Sequence, residues 1–327
     1  MSAFELLKLN LLSPMVLCFA LGAVARLMRS DLSLPDSVYT GLSTYLLLAI
    51  GMKGGVAIAE TPAGQLIGPA IATVLLGVTL PVLTFAGARM GKLSRADAGA
   101  LAAHYGSVSA VTFIASQTFL KLTDVKFEGF MPALVALMEI PGIIVGLMLA
   151  RPKAEDGNHA TMKESLLEIV TGKSIMLLGG GMVVGALTGH EGFEKVKDFF
   201  VTPYQGVLCL FLLDMGLLAA KRLGDLRLAG PFLAVFALIA PVVFGMLGVL
   251  AGRASGLSLG GATVLAAMSA SASYIAAPAA VRLALPQANP TYYLTASVGI
   301  TFPFNLALGI PLYYAVATWL YTAYPVG

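Results

Sequence analysis

Two segments of this chain, separated by about half its length, carry the same order of residue types. The first segment, 91–111, joins a Gly-Lys-Leu-Ser turn to a run of small residues, and the second, 255–275, joins Ser-Gly-Leu-Ser to a similar run. A further match at nearly the same offset relates 48–52 to 213–217. The chain is therefore predicted to contain two copies of one unit, which in a hydrophobic chain is typical of transporters.

Composition predicts an integral membrane protein. Of the 327 residues, 58% are hydrophobic and 11% are charged, and the mean hydropathy is +0.87. Soluble proteins contain about 25% charged residues. A soluble chain of this composition would expose more apolar surface than it can cover, whereas lipid accepts such a surface directly. The net charge of +3 is uninformative about partners, and no nucleic-acid partner is expected.

Ten apolar stretches are long enough to cross a hydrocarbon layer, which takes about 20 helical residues. Short clusters of charge, proline and glycine separate them. The expected fold is an all-α membrane protein with ten transmembrane helices. The predicted spans are 12–28, 36–58, 66–88, 97–119, 130–150, 172–189, 203–221, 230–251, 258–282 and 292–321.

The only sizeable polar stretch, 151–172, falls between the fifth and sixth spans. We therefore predict a first five-helix repeat at 1–150, a cytoplasmic linker at 151–172 and a second repeat at 173–327. Because each repeat holds an odd number of spans, the second copy enters the membrane from the opposite side. The two repeats are thus expected to be inverted.

Lys and Arg concentrate in the loops that follow odd-numbered spans. Such loops tend to stay cytoplasmic, so both termini are expected outside a bacterial plasma (inner) membrane, with the linker inside. No convincing small-residue cleavage site follows the first apolar run, which is therefore expected to be a retained helix. A reporter fused to the C-terminus tests this orientation, and cytoplasmic reporter activity would overturn it.

The fourth and ninth spans contain matching runs of small polar residues, at 104–112 and 269–278. We interpret them as discontinuous helices that cross, where half-helix N-termini attract an anion while freed carbonyls and hydroxyls hold a cation. The alternative is that serines and alanines only permit tight helix packing. The candidate substrate-binding residues are Gly106, Ser107, Ser109, Thr112, Ser271 and Ser273, and Ser269 is assigned to the cation.

Ionisable residues inside spans are costly, at about 2.5 to 3.5 kcal/mol for a mid-helix charge. Glu139 precedes Pro141, which frees a backbone carbonyl, so a cation or proton site is predicted there; a protonated packing residue is the alternative. Lys53 and Asp214 lie in matching spans and are expected to pair, unless Lys53 snorkels to an interface. His104 either senses pH, bonds a carbonyl or is structural.

Glycines four residues apart predict close helix contacts, at Gly51 with Gly55, Gly181 with Gly185, and Gly185 with Gly189. The sequence contains no metal-binding His/Cys array, P-loop, nucleophile elbow or HExxH motif. Neither an ATP-driven mechanism nor an enzyme is therefore expected. No metal beyond a coupling cation is predicted, and no cofactor.

Several motifs in a fixed order carry a family resemblance over nearly the whole chain. They are Gly51-Met52-Lys53-Gly54-Gly55-Val56-Ala57-Ile58, Gly106-Ser107-Val108-Ser109 with Thr112, Met138-Glu139-Ile140-Pro141, Met215-Gly216 with 222–227, and 286–290. Together they resemble the sodium-dependent bicarbonate transporter family first recognised in cyanobacteria. The resemblance implies inverted five-helix repeats, a core domain moving against a gate domain, a homotrimer, and Na⁺-coupled uptake of HCO₃⁻. It also implies an ion site where the fourth and ninth spans cross, with Glu139 assisting the cation.

Two residues depart from the cyanobacterial pattern. Glu139 replaces an aspartate, and Tyr274 stands where the pattern has an aspartate after the serine run. Tyr274 is assigned to the cation site, although a neutral hydroxyl supplies no compensating charge, which weakens the case for Na⁺ and bicarbonate. The resemblance further implies a PII-type regulatory protein on the cytoplasmic face, against which the linker argues because it is shorter than in cyanobacterial members.

The leading hypothesis is a secondary transporter in which a cation offsets the charge of bicarbonate within a low-dielectric barrier. A second hypothesis keeps the architecture but carries another small carboxylate, coupled to protons or Na⁺; counterflow with labelled substrates distinguishes the two. A third is a membrane anion sensor, which the absence of an attached signalling domain disfavours. An intramembrane enzyme is weaker still, because no nucleophile and base pair is recognisable.

Overall fold

The computed structural model describes residues 3–150, 167 and 170–324, so most of the predicted linker at 151–172 lies outside the described residues. The described part is helical and contains no strand. Its first half forms α1 (Ala3–Leu11), α2 (Pro14–Leu27), α3 (Asp36–Glu60), α4 (Ala63–Met90), α5 (Arg95–Gly106), α6 (Ala110–Leu122) and α7 (Met131–Ala150). Its second half forms α8 (Lys173–Glu194), α9 (Lys197–Phe200), α10 (Tyr204–Leu223), α11 (Leu226–Ala254), α12 (Leu259–Ser269), α13 (Ala277–Ala284) and α14 (Pro290–Ala323).

Six helical stretches among the described residues are long and apolar enough to cross a membrane, counting α5 and α6 as one stretch. A seventh is added if α1 and α2, which meet at 61°, form one span. The chain is therefore a multi-pass helical membrane protein. Each predicted span begins and ends within five residues of a helix end, but the fourth and the ninth are each divided into two helices, and the number of crossings stays a prediction.

The duplicated turn in the sequence adopts the same conformation in both copies. Lys92 and Gly256 occupy equivalent positions and both have positive φ, 61° and 85°. Each turn ends in a serine whose hydroxyl caps the next helix: Ser94 Oγ accepts from Asp97 N at 3.0 Å, and Ser258 Oγ accepts from Gly261 N at 3.1 Å. The repeated residues thus end one helix and begin the next.

The helices pack in two groups that each combine both halves of the chain. In the first group, α2 packs along α10 and α3 packs along α8. In the second, α5 lies against α4 and α7, and α12 lies against α11 and α14. The first group therefore consists of α2, α3, α8 and α10, and the second of α4 to α7 with α11 to α14.

Glycines allow the close contact between α3 and α8. A Cβ added at Gly55 would overlap the Met182 carbonyl, and one at Gly185 would overlap the Met52 carbonyl. The predicted helix contacts at Gly51 with Gly55 and Gly181 with Gly185 are thus confirmed, within one chain. The prediction for Gly189 is wrong. A Cβ added there would meet no other atom within 4 Å, and the residue has φ of 61°, so it interrupts α8 instead.

The last helix contains two π-helical stretches, Thr295–Thr301 and Asn305–Gly309. A π-helix shifts the hydrogen-bond pattern of the backbone and leaves carbonyls that need other donors. Asn10 of α1 meets this need, because its amide donates to the Leu306 and Ala307 carbonyls at 2.9 and 3.0 Å. The short helix α1, which was not predicted, is thereby attached to α14.

Candidate functional site

Both serine-rich segments are interrupted helices in the structure. The first helix stops at Gly106, and Ser107 and Ser109 then adopt extended backbone before α6 begins. The second break runs from the end of α12 at Ser269 to the start of α13 at Ala277. Small residues at both breaks leave room for the two segments of backbone to meet.

Direct hydrogen bonds join the two breaks. Ser273 N donates to the His104 carbonyl at 2.7 Å, and Ser109 N donates to Ser271 Oγ at 2.8 Å. Ser271 Oγ in turn donates to the Met268 carbonyl at 2.7 Å. The backbone groups released by one broken helix are therefore satisfied partly by the other, as buried polar groups require.

A small cavity lies beside this junction, between the two helix groups. Its volume is about 10 Å³, enough for one water-sized particle. The second group contributes Ser109 and the neighbouring start of α6, Val135 and Glu139 of α7, and the segment 273–275. The first group contributes Leu47 of α3 and Ser174 and Leu178 of α8.

Among the residues that the structure describes, Glu139 is the only carboxylate that lines this cavity. Its side chain is 3% exposed, and no hydrogen bond or ion pair joins it to another residue within the described ranges. A buried carboxylate without a partner is strongly disfavoured as an anion. Glu139 therefore needs a proton or a cation.

The structure brings four of the predicted site residues to the cavity: Ser109, Ser273, Glu139 and Tyr274. The phenol of Tyr274 is directed towards Ser109 without meeting the geometry of a hydrogen bond. Together these side chains offer hydroxyl and carboxylate oxygens, the donor type that hard cations prefer.

The other predicted residues take different places. The hydroxyls of Ser107 and Thr112 are buried and have no hydrogen-bond partner among the described atoms. Gly106 lies against Gly142 of α7, so close that a Cβ on either would meet the other's carbonyl oxygen. Ser269 does not line the cavity, since its hydroxyl donates to the Leu265 carbonyl at 2.8 Å within α12.

The prediction that Lys53 and Asp214 pair is wrong. Lys53 shares a cavity with Gln205 at the start of α10, whereas Asp214 shares a groove with Asp36 at the start of α3. The two helices therefore run antiparallel, and equivalent positions in them face opposite ends of the protein. Residues that match in sequence are thus held apart.

His104 has a structural role. Its Nδ1 lies 2.7 Å from the Ala100 carbonyl, and its ring stacks on Tyr293 with centroids 4.3 Å apart. The ring is fully buried. The imidazole therefore helps to fix the end of α5 against α14. The backbone carbonyl of His104 accepts the hydrogen bond from Ser273 N.

Ser174 is the cavity residue that the sequence reasoning missed. It is buried at the start of α8 and lines the same cavity as Glu139. Nothing but its place at the start of the sixth predicted span marks it, and a serine there is equally typical of a helix cap. Its side chain adds an oxygen from the first helix group.

A family model described as the Na⁺-dependent bicarbonate transporter superfamily matches residues 14–318. No curated protein matches the chain.

Proposed function

The chain belongs to the Na⁺-dependent bicarbonate transporter superfamily, and from this premise we propose that it is a secondary transporter that couples Na⁺ to the uptake of bicarbonate. The observation that carries the proposal is the cavity where Glu139, the serine hydroxyls and the start of α6 meet.

The cation is held by oxygen atoms of the cavity. Glu139 supplies the charge, and Ser109, Ser273, Ser174 and Tyr274 supply neutral oxygens. Na⁺ is a hard ion that suits such ligands. A buried carboxylate without a partner is unfavourable in free energy. Bound Na⁺ neutralises its charge and removes this penalty, which favours binding.

The anion is held at the first turn of α6. The N–H groups of Ala110 and Val111 have no intrahelical partner there, and the helix dipole favours negative charge. Ser107 and Thr112, whose hydroxyls have no partner among the described atoms, lie within three residues of this first turn. A neighbouring Na⁺ lowers the cost of bringing bicarbonate into a low-dielectric region.

Movement between the helix groups gives access to the site. The cavity has about 10 Å³, so bicarbonate requires the two walls to separate. We assign α2, α3, α8 and α10 to a gate domain and the remaining long helices to a core domain, because the cavity lies where these groups meet. Both ions then travel with the core.

Equivalent glycine contacts support two inverted repeats, 1–150 and 173–327. A Cβ at Gly22 would overlap the Leu213 carbonyl, and one at Gly181 would come within 3.1 Å of the Leu48 carbonyl. Leu48 and Leu213 are related by the offset that relates the two sequence halves. The same contact is thus made twice with the halves exchanged. Termini outside the bacterial plasma membrane and a homotrimeric assembly complete the proposal.

Reconstituted vesicles test the function directly. Labelled bicarbonate uptake should rise when an inward Na⁺ gradient is imposed and should not respond to a proton gradient alone. The second candidate, a proton-coupled transporter of another small carboxylate, is favoured by Tyr274, which leaves Glu139 as the single carboxylate that the described residues bring to the cavity. Proton-driven uptake of formate or acetate, without Na⁺ stimulation, would replace the first candidate by the second.

Replacing Ser109 with Ala should reduce Na⁺-driven uptake at least about tenfold, because the cavity loses an oxygen next to Glu139 and α6 loses its cap, worth about 1 kcal/mol. Ser94→Ala is the matched control, since Ser94 caps α5 by the same bond and does not line the cavity. Equal uptake by the two variants would remove Ser109 from the site.

A further inference from the structure

A second polar cavity lies at the other end of α6 from the junction. Its volume is about 210 Å³. It is formed by the C-terminal half of α3, the end of α6, and the start of α10 with the segment before it. Gln117 and Lys121 of α6 line it, about 10 and 16 Å along the helix from Ala110 at the small cavity.

The charge of this cavity is wholly positive. Lys53 and Lys121 line it and are close enough for their charges to interact, and no carboxylate of the described residues lines it. Neither ammonium group forms an ion pair with any carboxylate in the described ranges. Two cations that line one concave site attract a counter-ion, because low-dielectric walls focus their field.

Neutral hydrogen-bond groups accompany the two lysines. Gln117, Thr202 and Gln205 line the same cavity. The hydroxyl of Tyr204 is buried there and has no hydrogen-bond partner among the described residues. A buried hydroxyl usually has a partner, so an unsatisfied one in a cavity that two lysines also line indicates a ligand with acceptor oxygens.

The groove at the opposite end of α3 and α10 differs in charge. It is lined by Arg26, Asp36, Asp214 and Lys221, two residues of each sign. The two ends of the helix pair are therefore unequal: one attracts anions and the other is balanced. Lysines that share a cavity without a carboxylate repel each other, so an anion bound between them is favoured.

We propose that the cavity between Lys53 and Lys121 is a second anion-binding site, which takes a small oxyanion of the bicarbonate class. It lies on the side that the predicted topology places outside the cell. The anion is captured there and then passes along α6 to the junction when core and gate separate. This role in uptake rests on the proposed function, whereas the binding itself does not.

Lysine modification tests the binding without transport. The purified full-length protein is treated with a water-soluble acetylating reagent at fixed pH and ionic strength, with sodium bicarbonate or sodium gluconate, and acetylation of each lysine is followed by mass spectrometry. Bicarbonate should slow the modification of Lys53 and Lys121 roughly three- to tenfold at saturation. Lys126, which is exposed and outside the cavity, should be unaffected. Absence of protection at both cavity lysines, or equal protection of Lys126, overturns the site.

Uptake kinetics test the role in transport. The variants Lys53→Gln and Lys121→Gln should each raise the KM for bicarbonate about three- to tenfold, with a smaller change in kcat. Lys53→Arg keeps the charge and should retain the wild-type KM, which separates charge from folding. An unchanged KM in both Gln variants overturns the role. Lysine protection without any bicarbonate uptake would contradict the proposed function and support the second anion site. Uptake without lysine protection would support the proposed function and contradict the second site.

Discussion

Replacing Glu139 with Gln is expected to abolish the stimulation of uptake by Na⁺ while leaving the protein folded. Glu139 is the only carboxylate in the small cavity and has no partner in the described chain. Removing one member of a buried charge pair costs about 2 to 5 kcal/mol, which weakens Na⁺ binding about 30- to several-thousandfold. Gln keeps the shape of Glu and removes a buried ionisable group, so the variant without Na⁺ should be at least as stable as the wild type.

Two measurements check this prediction. Na⁺ that binds only the folded protein raises the melting temperature, and this rise should be present in the wild type and absent in Glu139→Gln. Uptake should lose its Na⁺ dependence in the same variant. Glu60→Gln is the control, since Glu60 is exposed at the end of α3 and should change neither property. Glu139→Asp restores the carboxylate and should retain Na⁺ stimulation. An undiminished Na⁺ response in Glu139→Gln would exclude Glu139 from the cation site.

Apolar length and turn residues predicted where the long helices lie. Each predicted span begins and ends near a helix end because lipid requires long apolar stretches, and glycine and serine mark the turns between them. The duplicated turn was readable for the same reason, as Ser94 and Ser258 cap helices by local bonds. Local hydrogen bonding and hydrophobicity are properties of short segments, so a single sequence reveals them.

Features that depend on contacts between residues distant in sequence could not be predicted from the sequence. Asn10 bonds the carbonyls of a π-helix almost 300 residues away, and neither α1 nor the π-helix has a local signal. The proposed pairing of Lys53 with Asp214 failed because matching positions in antiparallel helices face opposite ends. Ser174 was missed because only the packing of α8 against the junction places it in the cavity.

Part of the candidate site could be predicted from the sequence, because both breaks contain small polar residues in matching order. Ser109 and Ser273 could be chosen on that ground, and both line the cavity. Ser269 belongs to the same run, yet its hydroxyl bonds one turn back within α12. Whether a serine faces a cavity or its own helix depends on where the helix ends, and that boundary is set by contacts with the other break.

Replacing Gly142 with Ala is expected to be the most damaging small substitution at the junction. A Cβ there would overlap the carbonyl group of Gly106, at the point where the helix α5 ends. Backbone atoms cannot turn aside as a flexible side chain can, so α7 and the end of α5 must separate. Overpacking of this kind costs about 1 to 3 kcal/mol or more. It also displaces Glu139, which lies one turn earlier on α7, from the serines.

Thermal unfolding and Na⁺-driven uptake measure this effect together. Gly142→Ala should lower the melting temperature and reduce uptake about a hundredfold, because displacement of a charged ligand by even 1 Å is costly at an organised site. Gly180→Ala is the matched control, since Gly180 is a helical glycine with no neighbour within 4 Å. That variant should be neutral or slightly stabilising, as Ala favours helix by about 1 kcal/mol over Gly. Equal behaviour of the two variants would show that α5 and α7 do not meet at these glycines, and the cavity would lose the contact that holds Glu139 beside the break.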